Sequence, residues 1–263
     1  MTASAPPSAT VHVHTNRQTR SLSLSTSLIQ SCMRLDDPDT LVLDYTRTMM
    51  GFLLLHPAPR SVLMVGLGGG SMAKYIHRHL PTTHLTVVEL LPEVIAERDA
   101  FAIPPDDARL RIVCADGSQH VRQAGASHDV ILLDAFDGQG IPPALCTRGF
   151  YEACRRALTP DGVLVVNVQA DTDATREIVA RIRKAFGTGV LEVESDEGGN
   201  TLVTAGALAG MHAADAAFES RWAALPPVHQ TTLAVSSVRL QRALARLRGA
   251  TSLPSRPFTE PTS

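Results

Sequence analysis

Between Val62 and Glu89 an apolar run ends in a cluster of glycines, and a second apolar run ends in an acid. The first reads Val62-Leu63-Met64-Val65-Gly66-Leu67-Gly68-Gly69-Gly70-Ser71 and the second Leu85-Thr86-Val87-Val88-Glu89. Strand, glycine turn, helix, strand and acid, with the acid about 20 residues past the glycines, is the layout of a nucleotide-binding βαβ unit. Glycines let the backbone turn sharply and approach a ligand with no Cβ in the way. A carboxylate at the tip of the second strand can accept two hydrogen bonds from a ribose diol. Two such parallel strands need a crossover helix, and this commits the chain to a layered α/β sheet.

The rest of the chain agrees. Strands are expected near 61–66, 84–89, 109–114, 128–134 and 161–168, and helices near 71–80, 92–101, 117–124, 148–158 and 172–186. Short loops and Val/Ile/Leu-rich strands imply a doubly wound, mostly parallel, Rossmann-like sheet covered on both faces. Gly189–Ser195 and Asn200–Ala205 read as a closing hairpin, which would make one edge strand antiparallel. Ahead of this region, alternation from Val11 to Met33 predicts two or three short antiparallel strands, and Leu41–Leu55 predicts one buried helix. The organisation expected is a disordered N-terminus over 1–10, a β-hairpin element over 11–40 and a Rossmann-like domain over 41–210. A helical tail over 211–248 and a loose terminus over 249–263 complete it.

Composition removes several classes of function. Net charge is −2, from 24 basic and 26 acidic side chains, and aromatics make up 4% of the 263 residues. Neither the basic patches nor the stacking platforms of a nucleic-acid surface are expected. No apolar run approaches the roughly 18 residues that span a bilayer, and the opening residues lack a signal-peptide pattern. Cys32, Cys114, Cys146 and Cys154 form no CxxC pair and show no zinc spacing, so no metal is expected. Cys114 reads as a small core residue. The setting expected is the cytoplasm.

Three acids close successive strands: Glu89, Asp116 in Val113-Cys114-Ala115-Asp116-Gly117, and Asp134 in Val130-Ile131-Leu132-Leu133-Asp134. Ligands of open parallel sheets bind beyond the carboxyl ends of the strands, so these acids converge on one crevice. No Gly-Lys-Ser/Thr follows the glycines, which excludes a P-loop. A third strand-end acid fits an S-adenosyl nucleoside, because it can accept from the adenine N6 amine. Other readings stay open. Asp116 can cap the helix that follows it, Asp134 can bond loop amides, and Asp137 can be a turn residue before Gly138.

In this order the residues resemble the spermidine synthase (polyamine aminopropyltransferase) family, on the class I methyltransferase-like fold. The matching pieces are Leu28-Ile29-Gln30, Leu43-Asp44-Tyr45, His56-Pro57-Ala58-Pro59-Arg60-Ser61-Val62-Leu63, the glycine loop, Val88-Glu89, Ala115-Asp116-Gly117 and Asp129-Val130-Ile131-Leu132-Leu133-Asp134-Ala135-Phe136-Asp137. The resemblance implies that Glu89 holds the ribose and that Asp116 with the Gly117 amide holds adenine. It places Gln30 at the ribose or thioether arm and Gly66, Gly68 and Gly70 under the nucleoside. Asp134 would face the reacting amine, Asp137 a distal amine, and Tyr45 the acceptor channel. The donor implied is S-adenosylmethionine or its decarboxylated form, the acceptor a small-molecule amine, and the assembly a homodimer or higher homo-oligomer.

The chain departs from the family pattern at four places. Gly69 stands where the glycine loop carries an acid. Thr46-Arg47 follows the tyrosine where an acid is expected. The loop after Asp134 reads Ala135-Phe136-Asp137-Gly138-Gln139, and no second tyrosine lies late in the sheet, the others being Tyr75 and Tyr151. Alternatives to aminopropyl transfer are therefore a small-molecule methyltransferase using S-adenosylmethionine, favoured by Gly69, and a catalytically weak nucleoside-binding scaffold.

Overall fold

A computed structural model describes residues 10–24, 29–137, 140–195 and 197–251. Most of the expected disordered N-terminus and loose C-terminus lies outside these residues, as do Leu28, Gly138 and Gln139. The strands are β1 (His12–Thr15), β2 (Thr19–Ser23), β3 (Ser31–Arg34), β4 (Ser61–Val65), β5 (His84–Glu89), β6 (Leu110–Cys114), β7 (His128–Leu133), β8 (Leu158–Gln169), β9 (Val190–Glu194) and β10 (Asn200–Gly206). The helices are α1 (Asp44–Met49), α2 (Phe52–Leu55), α3 (Ser71–His79), α4 (Pro92–Ala96), α5 (Gly117–Gln123), α6 (Arg148–Ala157), α7 (Asp173–Phe186), α8 (Leu208–Ala216), α9 (Phe218–Ala224) and α10 (Pro227–Thr251).

Seven strands form one sheet in the order β6-β5-β4-β7-β8-β10-β9, and β1-β2-β3 form a separate antiparallel sheet. The large sheet is α/β and mostly parallel, as the alternating strand and helix pattern requires. Its inner strands are apolar on both faces because both are buried. Val62, Met64, Val130, Leu132, Val163 and Val165 point to one core with α1–α3 and α10. Leu63, Val65, Ile131, Leu133, Leu164 and Val166 point to the other, with α6 and α7. The strand order reverses between β4 and β7, and this switch point is where such sheets open a crevice.

Four local expectations are corrected. The single helix over Leu41–Leu55 is two, because the amides of Gly51, Leu53 and Leu54 each donate three residues back and tighten the ladder around Gly51. The helix expected over 92–101 stops at Ala96. The chain then turns through Ala102 at φ +54° and drives Phe101 inward. The antiparallel strand of the closing pair is β10, which lies inside the sheet between β8 and β9 rather than at its edge. β10 is buried on both faces, whereas β9 alternates with outward Glu192 and Glu194 and can face solvent on one side. Cys114 is exposed and not in the core, because it ends β6, the strand at the other edge. Among the described residues no helix is long and apolar enough to cross a membrane.

The turn after α4 is fastened by three cations, two from neighbouring elements and one of its own. Arg20 of β2 donates to the Ala100 carbonyl, Arg98 to that of Pro104, and Lys74 of α3 to that of Phe101 at 2.8 Å. Lys74 is 1% exposed, and burial pushes its ammonium down to about 8. A lysine whose folded pKa is lowered holds fewer protons than the unfolded chain between about pH 8 and 10.5, so stability should rise across that window. The rise expected is about 3 kcal/mol at most. Denaturant titrations between pH 7.5 and 10.5 should show it in the native chain and not in Lys74→Met. An equal rise in both would remove Lys74 as its source.

Candidate active site

The crevice is built from strand ends. At the end of β4 the chain enters the glycine turn, and Gly66 adopts φ +95° there. Its amide donates to Val88 on β5, and the Asp134 amide at the end of β7 donates back to Val65 at 3.0 Å. A Cβ on Gly66 would lie 2.8 Å from the Asp134 carbonyl carbon and 3.2 Å from the Ala135 Cα. The glycine turn and the backbone of Asp134 are thus in van der Waals contact, with Gly68 and Gly70 continuing the same turn into α3.

Glu89 is 8% exposed at the tip of β5. One carboxylate oxygen accepts the Leu67 amide of the glycine turn at 2.8 Å and the other the Leu91 amide at 2.9 Å. The acid therefore shapes the turn. Each oxygen keeps a second lone pair, the capacity a ribose diol needs. Asp116 caps α5, accepting from the amides of Ser118 at 2.7 Å and Gln119 at 3.2 Å. The capping reading of Asp116 is thus the one the geometry displays. Capping leaves the amide of Gly117, first in the helix, without an intrahelical acceptor.

Asp134 is half-buried, and its two oxygens meet different donors. Tyr45 Oη on α1 lies 3.3 Å from one, and Asn167 Nδ2 on β8 lies 3.0 Å from the other. Burial outweighs both hydrogen bonds and pushes the carboxyl up to about 6. The same burial, together with the charge of Asp134, holds the Tyr45 phenol well above its ordinary value, so it stays a donor. Tyr45 Oη also lies 3.1 Å from the Gln30 carbonyl, and Gln30 Nε2 donates to the Phe136 carbonyl at 3.3 Å. Gln30, Tyr45 and Asp134 are therefore brought together. Asp137 is exposed and closes a turn with Gly140 through its backbone amide at 2.8 Å.

The departures from the family pattern have local causes. A Cβ on Gly69 would meet Ser31 Oγ at 2.6 Å and the Phe101 ring at 2.7 Å, so no side chain fits there without movement of both. Ser31 Oγ lies 3.4 Å from Ser71 Oγ, which puts two hydroxyls beside the glycine turn. Arg47 donates to the carbonyls of Leu41 and Val42 and faces Glu197 at 3.8 Å. Tyr75 bonds His229 and Thr232 of α10, and Tyr151 of α6 lies in the core. Neither substitutes for a tyrosine at the site.

Asn167, Ser31 and Phe101 were not anticipated. For Asn167 a signal existed: a lone amide in the apolar run Val163-Leu164-Val165-Val166-Asn167-Val168, where a buried polar group needs a partner. Ser31 and Phe101 are ordinary by pattern and matter only through what they touch. Among the described residues no group of three or more His, Cys, Asp or Glu is placed to hold a metal ion. Chemically, the strand ends offer the Glu89 and Asp116 carboxylates at β5 and β6 and, next to the glycine turn, a carboxylate of raised proton affinity. Such a carboxylate can hold an ammonium and take a proton from it near neutral pH.

A family model described as the spermine/spermidine synthase domain matches residues 43–194. A polyamine aminopropyltransferase of Chromobacterium violaceum is 43% identical over 187 residues, which cover 71% of this chain and 72% of that protein. Among solved structures, a probable spermidine synthase from Corynebacterium glutamicum superimposes with a TM-score of 0.69 at 21% identity, over 95% of both chains. Human methyltransferase-like protein 13 in complex with SAH superimposes with a TM-score of 0.58 at 21% identity, over 77% of this chain and 92% of that one.

Proposed function

The chain belongs to the spermine/spermidine synthase family, and from that premise we propose that it transfers the aminopropyl group of decarboxylated S-adenosylmethionine to a small amine, a step of polyamine biosynthesis. The observation that carries the reading is Asp134, at the switch point beside the glycine turn, with a proton affinity raised by burial and two donors to orient it.

The chemistry is a single in-line displacement. The lone pair of the acceptor amine attacks the propyl carbon next to the sulfonium, a C–N bond forms and the C–S bond breaks. Methylthioadenosine leaves as a neutral thioether and needs no acid. The proton lost by the amine goes to Asp134. Catalysis is then positioning plus supply of a deprotonated nucleophile. Glu89 would hold the ribose hydroxyls. Asp116 would accept from the adenine amine and the Gly117 amide would donate to the ring. Gln30 would border the thioether arm, Tyr45 the acceptor channel, and Asp137 a second amine. Gly66, Gly68 and Gly70 let the backbone reach the nucleoside.

Gly69 favours a second reading, in which ordinary S-adenosylmethionine is accepted because no acid repels its carboxylate. One experiment separates the two. The protein is incubated with either donor and putrescine, and products are resolved by chromatography. Methylthioadenosine and an aminopropylated amine from the decarboxylated donor are expected. Methylated amine from S-adenosylmethionine, without methylthioadenosine, would replace the first reading by the second. Absence of calorimetric binding to both donors and to methylthioadenosine would remove both.

A further inference from the structure

The two donors on Asp134 are supported by one distant turn. Asn167 is 2% exposed, and its amide could present either end to the carboxylate. Asn200, the first residue of β10, meets its other end. Its Nδ2 donates to Asn167 Oδ1 at 2.9 Å, which leaves the NH2 of Asn167 for Asp134. The turn that leads into β10 is also gripped by the helix that carries Tyr45. The Glu197 amide donates to the Asp44 carboxylate at 2.6 Å, and Arg47 faces the Glu197 carboxylate at 3.8 Å.

The geometry points to Asn200 as a positioning residue: by donating to Asn167 Oδ1 it fixes the direction of the Asn167 amide and thereby sets how tightly Asp134 holds a proton. This rests on the reading of Asp134 as the proton acceptor. With the amide reversed, Asn167 Oδ1 would face a carboxylate oxygen, acceptor against acceptor, and ionisation of Asp134 would cost more. Around Asp134, α1 contributes Tyr45 with Asp44 behind it, β8 contributes Asn167, and the segment before β3 contributes Gln30. Burial, Asn167 and Tyr45 are the influences resolved on Asp134, and no charged side chain is among them. The orientation of one amide is therefore a large part of what can change its ionisation.

The test reads that ionisation directly. Full-length protein carrying 13C-carboxyl aspartate is titrated by NMR, with the Asp134 signal identified by its loss in Asp134→Asn. Asn200→Ala should raise the midpoint by about half a pH unit or more. Asn200→Leu keeps the size but removes the donor without adding a charge, and should raise it about as much. A residue that only maintains packing would leave this variant near the native midpoint. Midpoints unchanged in both variants, a rise in Asn200→Ala alone, or loss of fold in both by thermal melting would each overturn the assignment. Because the midpoint needs no turnover, it stands apart from the catalytic reading. Turnover retained in Asp134→Asn would sink that reading whatever Asn200 does.

Discussion

Asp134→Asn is expected to lower turnover by about 10³-fold while leaving the affinity for methylthioadenosine within about twofold, the range that loss of a general base spans. The groups proposed to hold the nucleoside, Glu89, Asp116 and the glycine turn, do not use the Asp134 side chain, so binding should survive. In the native chain the acid limb of kcat/KM should have its midpoint near pH 6, where burial has placed the carboxyl. The same burial has a cost in stability whose sign is fixed. A carboxyl with a folded pKa above its unfolded value destabilises the fold when ionised, so stability falls as pH rises from about 4 through about 6. Asn at this position removes that penalty and leaves Asn167 Nδ2 facing an amide. The expected net gain is about 1 kcal/mol above pH 7, vanishing below pH 4. Steady-state kinetics, calorimetry and denaturant titration at pH 4 and 8 check these parts separately. Wild-type turnover in the variant would take Asp134 out of the reaction.

Gly66→Ala should be the most damaging exchange of a glycine in this chain. At φ +95° a side chain is strained in any surroundings, and here the new methyl would run into the carbonyl of Asp134. Strain of this kind costs about 1–3 kcal/mol, and a collision with backbone in a packed sheet adds about as much. A loss of about 3 kcal/mol or more is expected from denaturant unfolding. Turnover should also collapse at temperatures where the variant is folded, because relief of the clash must move the backbone that carries Asp134. Gly149→Ala, in α6 where a Cβ meets nothing within 4 Å, should be neutral or slightly stabilising. If Gly66→Ala proved as mild as Gly149→Ala, the contact between the glycine turn and Asp134 would not constrain the site.

Much of this was legible in the residues. Strands β4 to β8 and their crossover helices follow from period-two and period-3.6 apolar patterns, which are local properties of the chain. The alternation of Leu63 and Val65 with Val62 and Met64 already implies a sheet buried on both faces. Glu89, Asp116 and Asp134 could be placed at the rim because each ends such a strand. The misjudged elements share a cause. The helix over Leu41–Leu55 breaks at Gly51, and α4 stops at Ala96 because side chains from β2 and α3 capture the carbonyls that follow. Cys114 looked buried because its neighbours are apolar, and an edge position in the sheet is invisible to a single strand.

The sequence alone determined that a glycine turn and three strand-end acids share the carboxyl rim of one parallel sheet, since each piece is set by contacts within a few residues. Only the tertiary structure decided what those acids meet. Tyr45 reaches Asp134 across 89 residues of chain, and Asn167 reaches it across 33. Ser31 and Phe101 close the space at Gly69 from opposite sides of the glycine loop in the chain. Arg47, whose charge would oppose an amine, is turned instead to backbone carbonyls and Glu197. Such pairings depend on which distant surfaces pack together and on where a buried donor can find an acceptor, and no local pattern carries that information.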